Sequence, residues 1–271
     1  MLSYSRPVER CRPLLGTFVR IRVHELAPER ARAAIEAAFA EVASVHRLMS
    51  FHEGESDVSR LNRDGAARVD GRTYAVLECA GEIASASRGL FDVTVAPALV
   101  ASGALPRPDA PEPDPAASWR DVKLLGDRRV KFARPLWIDL SGIAKGYAVD
   151  RAMSAILRYR PAQACVNAGG DLRIAGAAGE AVLLRPGAAA IEVEDGSVAA
   201  SRRAAGVHID PHGGEIEQRF VAVTAPLCMH ADALTKVAMI AGGDCAPVLA
   251  RYGAQALIYC AIAGWQTIGG G

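Results

Sequence analysis

The chain has 271 residues, of which 51% are apolar and 23% are charged. This balance excludes an intrinsically disordered chain, a collagen-like chain and a coiled coil, and a chain of this length buries a sizeable core. The 31 basic and 30 acidic side chains give a formal net charge of +1. Because the chain has no strong overall field of either sign, we expect neither a nucleic-acid partner nor attraction to an acidic membrane.

No segment has the pattern of a membrane span or of an export signal. The longest uncharged stretch follows Arg251, but its continuous apolar part is shorter than the ~20 residues of a spanning helix. Residues 1–25 carry arginines with no apolar region between them, and no lipobox is present. The six cysteines are scattered without a Cys-x-x-Cys pair, which favours a reduced chain. We therefore expect a cytoplasmic protein.

The first part of the chain shows one strand pattern and two helix patterns. Alternation of apolar and polar residues predicts a half-buried strand at 18–23. A helix is predicted to begin at Pro28 and a second to cover 73–87. The segment 106–115, half of it proline, is predicted to be an extended surface loop or linker. The apolar stripe of the first helix repeats every three or four residues: Ile35, Phe39, Val42, His46 and Met49.

The second part of the chain contains many short strand patterns with helices inserted between them. The helices are predicted at 144–159, from about Asp232 onward, and at 244–252. Because strands and helices do not alternate one for one, this order favours an α+β fold with mainly antiparallel sheet over a doubly wound sheet. The predicted strands are 122–125, 130–132, 136–140, 164–167, 172–175, 181–184, 190–193, 197–201, 219–224 and 256–262.

The most informative stretch is the junction between the predicted strand 136–140 and the helix that follows it. The strand carries Asp139 at its end, a turn of small residues follows, and Lys145 lies in the first turn of the helix. Main-chain N–H groups at a helix start are donors that favour an anionic ligand. The spacing of a Walker A loop is absent. The alternative is a capped strand–helix junction with a solvated lysine.

A second group of polar residues surrounds the helix predicted near Asp232. Asp232 and Thr235 are three residues apart and so lie on one helical face. A carboxylate and a hydroxyl are oxygen ligands that suit Mg²⁺. The alternative is that both residues cap the helix N-terminus.

Two further segments carry polar residues with weaker patterns. His208 and His212 have a spacing seen in zinc sites, but Pro211 and the glycines after it predict a turn in which the imidazoles need not converge. Asp92 follows a glycine and is typical of a residue that caps a turn.

Seven blocks, in order, resemble the ApbE family of FAD:protein FMN transferases. The most specific block reads Asp-Leu-Ser-Gly-Ile-Ala-Lys-Gly from Asp139 to Gly146. The resemblance implies a single compact, ApbE-like (T-fold-like) domain over 1–271. It also implies Mg²⁺-dependent transfer of FMN from FAD to a Thr or Ser hydroxyl of an acceptor protein, with release of AMP. The blocks lie at 14–18, 49–62, 89–94, 139–150, 167–171, 208–211 and 231–234.

The resemblance also assigns roles to residues of this sequence. It implies that the carbonyl of Gly142 and the carboxylate of Asp232 bind the metal. By its place in its block, His208 is the candidate base for the hydroxyl, and a turn-stabilising histidine is the alternative. The FAD contacts implied are Leu15, His52, Phe91, Asp92, Asp139, Lys145 and Ile209.

The chain departs from the family pattern at the metal site. The family has a metal-binding Thr four residues after the Asp, whereas here that position is Lys236 and the hydroxyl is Thr235. Two arrangements stay open: Lys236 points away while Thr235 ligates the metal, or its ammonium group occupies the metal site. An Mg²⁺-dependent FAD pyrophosphatase and an FAD-binding protein without catalysis are therefore alternative functions.

Overall fold

The largest element of the structure is an eight-stranded sheet. The structure is a computed structural model that describes residues 7–176, 178–184, 189–203, 207–217 and 219–269. The strands in this part of the chain are β1 (Val8–Leu14), β2 (Thr17–His24), β3 (Ala66–Arg68), β4 (Val122–Leu125), β5 (Arg129–Phe132), β6 (Gln163–Ala168), β7 (Asp171–Gly176), β8 (Glu180–Leu184), β9 (Ala189–Val193), β10 (Ser197–Arg202), β11 (Phe220–Ala225), β12 (Gln255–Cys260) and β13 (Gly264–Ile268).

Every strand pairing in the described part of the chain is antiparallel. The large sheet has the order β1-β2-β6-β7-β10-β11-β12-β13, a smaller sheet has the order β3-β5-β4, and β8 and β9 form a hairpin. The α+β prediction, with a mainly antiparallel sheet and inserted helices, is confirmed.

Three of the helices cover the large sheet and build the main core with it. Helix α1 lies on β1 and β2, α5 on β6 and β7, and α6 on β10 and β11, while α1 packs on α5 and α5 on α6. The helices of the described residues are α1 (Pro28–Met49), α2 (Asp57–Asp64), α3 (Gly71–Ala86), α4 (Ala96–Ala101), α5 (Ala144–Leu157), α6 (Cys228–Ala241) and α7 (Ala246–Arg251).

The amphipathic patterns of β2 and α1 explain how this core forms. Val19, Ile21 and Val23 of β2 are fully buried, as the alternation predicts. The predicted stripe of α1 is buried except at His46, which is partly exposed, and Val45 beside it takes the core position. A smaller core between β7, β10 and the β8–β9 hairpin lies apart from the main one.

The segment 136–140 is buried as expected, but it is not a strand. The amide of Asn62 receives the N–H of Ile138 at 2.8 Å and donates to its carbonyl at 3.0 Å, and the N–H of Asp139 donates to the carbonyl of Val93 at 2.8 Å. One asparagine side chain thus makes the hydrogen bonds that a neighbouring strand would make. The apolar run predicts burial correctly, and the pairing partner is what the prediction gets wrong.

Several other elements differ from the sequence patterns. The strands β1 and β13 lie at the two ends of the large sheet, and most of their side chains are not buried, so they lack the alternation that predicts a strand. The proline-rich segment is a surface loop held to the core, because the indole N–H of Trp137 donates to the carbonyl of Pro111 at 2.8 Å.

One helical stretch of the described residues has the length and apolar composition of a membrane span. It covers Cys228–Arg251, and half of its most apolar window is buried within the protein. A core helix of a globular domain shows the same features, so this composition alone does not indicate a span.

Candidate functional site

Two adjoining cavities bring together most of the residues predicted to form a site. The first has a volume of about 410 Å³ and the second about 260 Å³, and Asp139, Ser141 and Lys145 line both. Of the predicted site residues, the first cavity adds Leu15 and His52. The second adds Phe91, Asp92, Gly142, His208 and Ile209. Asp232 and Thr235 line neither cavity, because both are fully buried behind the residues that line them.

Asp139 shapes the turn at the junction of the two cavities. Its carboxylate accepts hydrogen bonds from the Ser141 main-chain N–H at 3.2 Å and from the Ser141 hydroxyl. Burial raises the pKa of Asp139 above its ordinary value, although the Ser141 bonds and the charges of His52 and Lys236 oppose that rise. The turn therefore places a buried carboxyl, with a hydroxyl beside it, where the cavities meet.

Two buried carboxylates hold two lysines, of which Lys145 lines both cavities and Lys236 lines the second. Lys145 Nζ is 2.8 Å from Asp171 Oδ2, and Lys236 Nζ contacts Asp232 Oδ1. The carboxylate side chains are 2% and 1% exposed, whereas the lysine side chains are 29% and 26% exposed. Both lysine side chains are therefore partly exposed and line the cavities, while the buried carboxylates hold their ammonium groups.

The pKa shifts of this four-residue cluster follow from burial and from the opposite charges. Burial alone lowers the pKa of Lys145, but the charges of Asp232 and Asp171 outweigh it and raise that pKa. Burial alone raises the pKa of Asp232, but Lys236 and Lys145 outweigh it and lower that pKa. Burial and the charge of Asp232 raise the pKa of Asp171 from 3.8 to about 6. Asp232 is thus the carboxylate that both lysines keep ionised.

Asp232 lies in the second turn of α6, not in the first as predicted. The helix begins at Cys228 because Asp150 of α5 caps it: its carboxylate accepts the N–H groups of Cys228 at 3.0 Å and Met229 at 2.9 Å. Arg173 donates to the same carboxylate at 2.7 Å. The capping interpretation of Asp232 is therefore wrong, and its carboxylate is available for other partners.

The partners of the Asp232 carboxylate are a main-chain N–H group and a lysine. Asp232 Oδ2 accepts the N–H of Gly146 at 3.0 Å, while Lys236 Nζ contacts Asp232 Oδ1 and also donates to the Asp232 carbonyl at 3.0 Å. The N–H of Gly146, one of the donors at the start of α5 expected to face an anion, is thus used inside the protein. The Thr235 hydroxyl donates to the Asp232 carbonyl at 2.7 Å and is 3.0 Å from Ser201 Oγ.

The oxygen atoms around Asp232 do not form a binding site for Mg²⁺ in this structure. Both carboxylate oxygens have partners, the Thr235 hydroxyl is engaged with main chain and Ser201, and the described residues contain no group of three or more metal-binding side chains of the His, Cys, Asp and Glu type. An ammonium group ~4 Å from Mg²⁺ repels it by ~8 kcal/mol at an effective dielectric of ~20. Of the two arrangements that the sequence left open, the structure has the ammonium at the carboxylate.

The segments with weaker patterns form turns. Asp210 accepts the N–H of His212 at 2.8 Å, so 208–212 is a turn, as the proline and glycines predict. Asp92 accepts the N–H and the hydroxyl of Thr94, both at 2.7 Å, and so caps a short 3₁₀ turn. Burial raises the pKa of Asp92 above its ordinary value. His208 and Asp92 nevertheless both line the second cavity.

Three residues of the site were not singled out from the sequence. Asp171 belongs to the four-residue cluster of lysines and carboxylates. Ser141 lines both cavities at their junction, and Ser201 lines the second cavity. Asp171 ends the block at 167–171 and Ser141 lies within the central block, so the blocks contain a signal for both. Ser201 matches the Ser of a Thr-Ser-Gly segment of the family but was assigned no role, because only the pairing of β10 with β11 and the packing of α6 bring it to Thr235.

Comparison with known proteins agrees with this geometry. The FAD:protein FMN transferase of Treponema pallidum is 28% identical over 189 residues, which is 62% of this chain and 51% of that protein. The protein of the same name from Vibrio cholerae is 28% identical over 144 residues, 49% of this chain and 43% of that protein. The chain therefore spans about half the length of the curated relatives it matches.

A solved structure and a family model extend the match to nearly the whole chain. The crystal structure of the ApbE protein from Thermotoga maritima has a TM-score of 0.82 at 26% identity, and the match covers 97% of each chain. The sequence model of the ApbE family matches residues 15–258. With the blocks at 139–150 and 208–211 placed around one pair of cavities, the chain belongs to the ApbE family.

Proposed function

We propose that this chain transfers FMN from FAD to a Thr or Ser hydroxyl of an acceptor protein and releases AMP. The relatives named FAD:protein FMN transferase support the reaction class. The observation that carries the proposal is the pair of cavities that meet at Asp139, Ser141 and Lys145. FAD has two bulky ends joined by a charged pyrophosphate, which is a shape that two cavities with a lysine at their junction accommodate.

The chemistry requires an attacking hydroxyl, a held phosphate and a leaving group. The acceptor oxygen attacks the phosphorus of the FMN half, the bond from that phosphorus to the bridging oxygen breaks, and AMP leaves with that oxygen. Transfer of this kind depends mainly on alignment and on stabilisation of the phosphate charge. Lys145 suits that role, because carboxylates raise its pKa and keep it charged while its side chain lines both cavities.

The acceptor hydroxyl also loses a proton, and His208 is the residue we propose as the base. It lines the second cavity together with Phe91 and Asp92. Histidine titrates near neutral pH, which suits a general base. The roles of the FAD-contacting residues that the resemblance implies, the magnesium dependence and the cytoplasmic location stay predictions, and the donor set around Asp232 gives the magnesium prediction no support.

The test is to incubate the purified chain with FAD and an acceptor protein that presents a Thr or Ser, and to separate AMP, free FMN and the labelled acceptor. We expect the acceptor to gain the mass of FMN in step with AMP release. The matched control is the acceptor with that Thr or Ser changed to Ala, which should stay unlabelled. AMP and free FMN without a labelled acceptor would replace the proposal with an FAD pyrophosphatase. FAD that is bound but not cleaved would indicate a binding protein.

A further inference from the structure

We propose that Lys236 is the resident cation of this site, and that the chain binds the phosphates of FAD without a divalent metal. This inference rests on the proposed function, because FAD is the ligand that it concerns. It departs from the magnesium dependence that the family resemblance implies.

The position of the Lys236 side chain is the first argument. Its ammonium contacts Asp232 Oδ1, and its Cε would be 3.5 Å from a Cβ built at Gly142. Gly142 and Asp232 are the two groups that the resemblance implies as metal ligands. The lysine therefore contacts the implied metal carboxylate and lies beside Gly142, where the resemblance places the metal.

The direction in which the charges face is the second argument. Lys236 lines the second cavity, whereas Asp232 lies behind it and is fully buried. Lys145 has the same relation to Asp171 at the junction of the cavities. A ligand in the cavities thus meets two lysine side chains, and ammonium groups form charge-assisted hydrogen bonds with phosphate oxygens. Each lysine is held by its own carboxylate and needs no ligand to fix its place.

The identity of residue 235 is the third argument. The Thr235 hydroxyl is directed to the Asp232 carbonyl and to Ser201, so it ties α6 to β10. With that hydroxyl engaged and Lys236 at Asp232, no side chain of this turn of α6 is left to complete a metal site. The sequence change from Thr to Lys four residues after Asp232 therefore exchanges a ligand for a cation.

The first test is calorimetric titration of the wild-type chain with FAD, once in excess Mg²⁺ and once in EDTA. We expect the two dissociation constants to agree within about twofold, whereas a metal that bridges phosphates would improve binding by about tenfold or more. Binding only with Mg²⁺ overturns the inference and leaves the proposed function in place. Equal binding without transfer to an acceptor overturns the proposed function and leaves the inference. No binding in either buffer overturns both.

The second test uses Lys236→Thr, which supplies a hydroxyl four residues after Asp232. We expect this variant to lose affinity for FAD in EDTA by about tenfold to hundredfold, since a charged hydrogen bond is removed. Added Mg²⁺ should recover the affinity, and Mn²⁺ titrated into the variant should give an electron paramagnetic resonance signal of bound metal that the wild type lacks. Circular dichroism checks the fold.

Two further variants serve as controls. Lys236→Arg keeps a cation on Asp232, so its FAD affinity should stay independent of Mg²⁺, even if Lys236→Thr does not fold. Lys131→Thr removes an exposed lysine of β5, outside both cavities, and should change nothing. Bound Mn²⁺ in the wild type that disappears in Asp232→Asn would overturn the inference.

Discussion

The substitution Gly146→Ala tests the close contact between α5 and α6 on which the site depends. A Cβ at this position would lie 2.3 Å from the carbonyl oxygen of Cys228 and 2.8 Å from the Cβ of Asp232. No side-chain rotation relieves contacts with such atoms, so the two helices must move apart. Overpacking costs about 1–3 kcal/mol, and a lost hydrogen bond from the Gly146 N–H to the charged Asp232 costs about 1.5–3 kcal/mol more. Alanine's higher helix propensity returns about 1 kcal/mol of this, so we expect the free energy of unfolding to fall by about 2–5 kcal/mol.

Equilibrium unfolding in urea measures this change. The matched control is Gly81→Ala in the middle of α3, where a Cβ would meet nothing within 4 Å. That substitution should raise the free energy of unfolding by about 0.5–1 kcal/mol, because alanine favours a helix more than glycine does. If Gly146→Ala were as stable as the wild type, or stabilised like the control, the close packing of α5 on α6 would be refuted.

Three further predictions concern buried charges and the proposed base. The pKa of Asp171 is raised from 3.8 to about 6, so ionisation of its carboxyl should lower the free energy of unfolding of the wild type by up to about 3 kcal/mol as pH rises from about 4 to about 6. In urea unfolding, Asp171→Asn should not show this decrease with pH. The same decrease in the variant would refute the pKa shift. Asp150→Ala should lower the free energy of unfolding by about 3 kcal/mol or more, since it removes the cap of α6 and leaves Arg173 without its carboxylate; a loss below about 1 kcal/mol would contradict this. His208→Gln should slow transfer to the acceptor about 100-fold or more while the FAD dissociation constant stays unchanged. If the transfer rate and the affinity for FAD fell by the same factor, His208 would have a binding role instead.

The periodic elements could be predicted because their burial is one-sided. The alternation in β2 and the stripe of α1 each predict a buried face, and the structure has both elements. The segment 136–140 shows where this reasoning stops. Its apolar run predicts burial, but Asn62, 76 residues away along the chain, supplies the hydrogen bonds. Sequence pattern does not reveal whether a buried backbone pairs with a strand or with a side chain.

The site could be predicted in part for a similar reason. The blocks identify residues that the fold brings to one pair of cavities, including Phe91, Asp139 and Lys145. The start of α6 could not be predicted, since Asp150 caps it from another helix. The place of the Lys236 ammonium could be predicted only in part: a spacing of four residues puts it near Asp232, but its approach to Gly142 depends on tertiary packing.

The most direct test of the account is a calorimetric comparison of FAD with riboflavin. Because Lys145 and Lys236 are proposed to bind the phosphates of FAD, FAD should bind at least about tenfold more tightly than riboflavin, which has no phosphate. Lys145→Met should reduce the affinity for FAD and leave the affinity for riboflavin unchanged. Equal affinity of the wild-type chain for FAD and riboflavin would contradict the account.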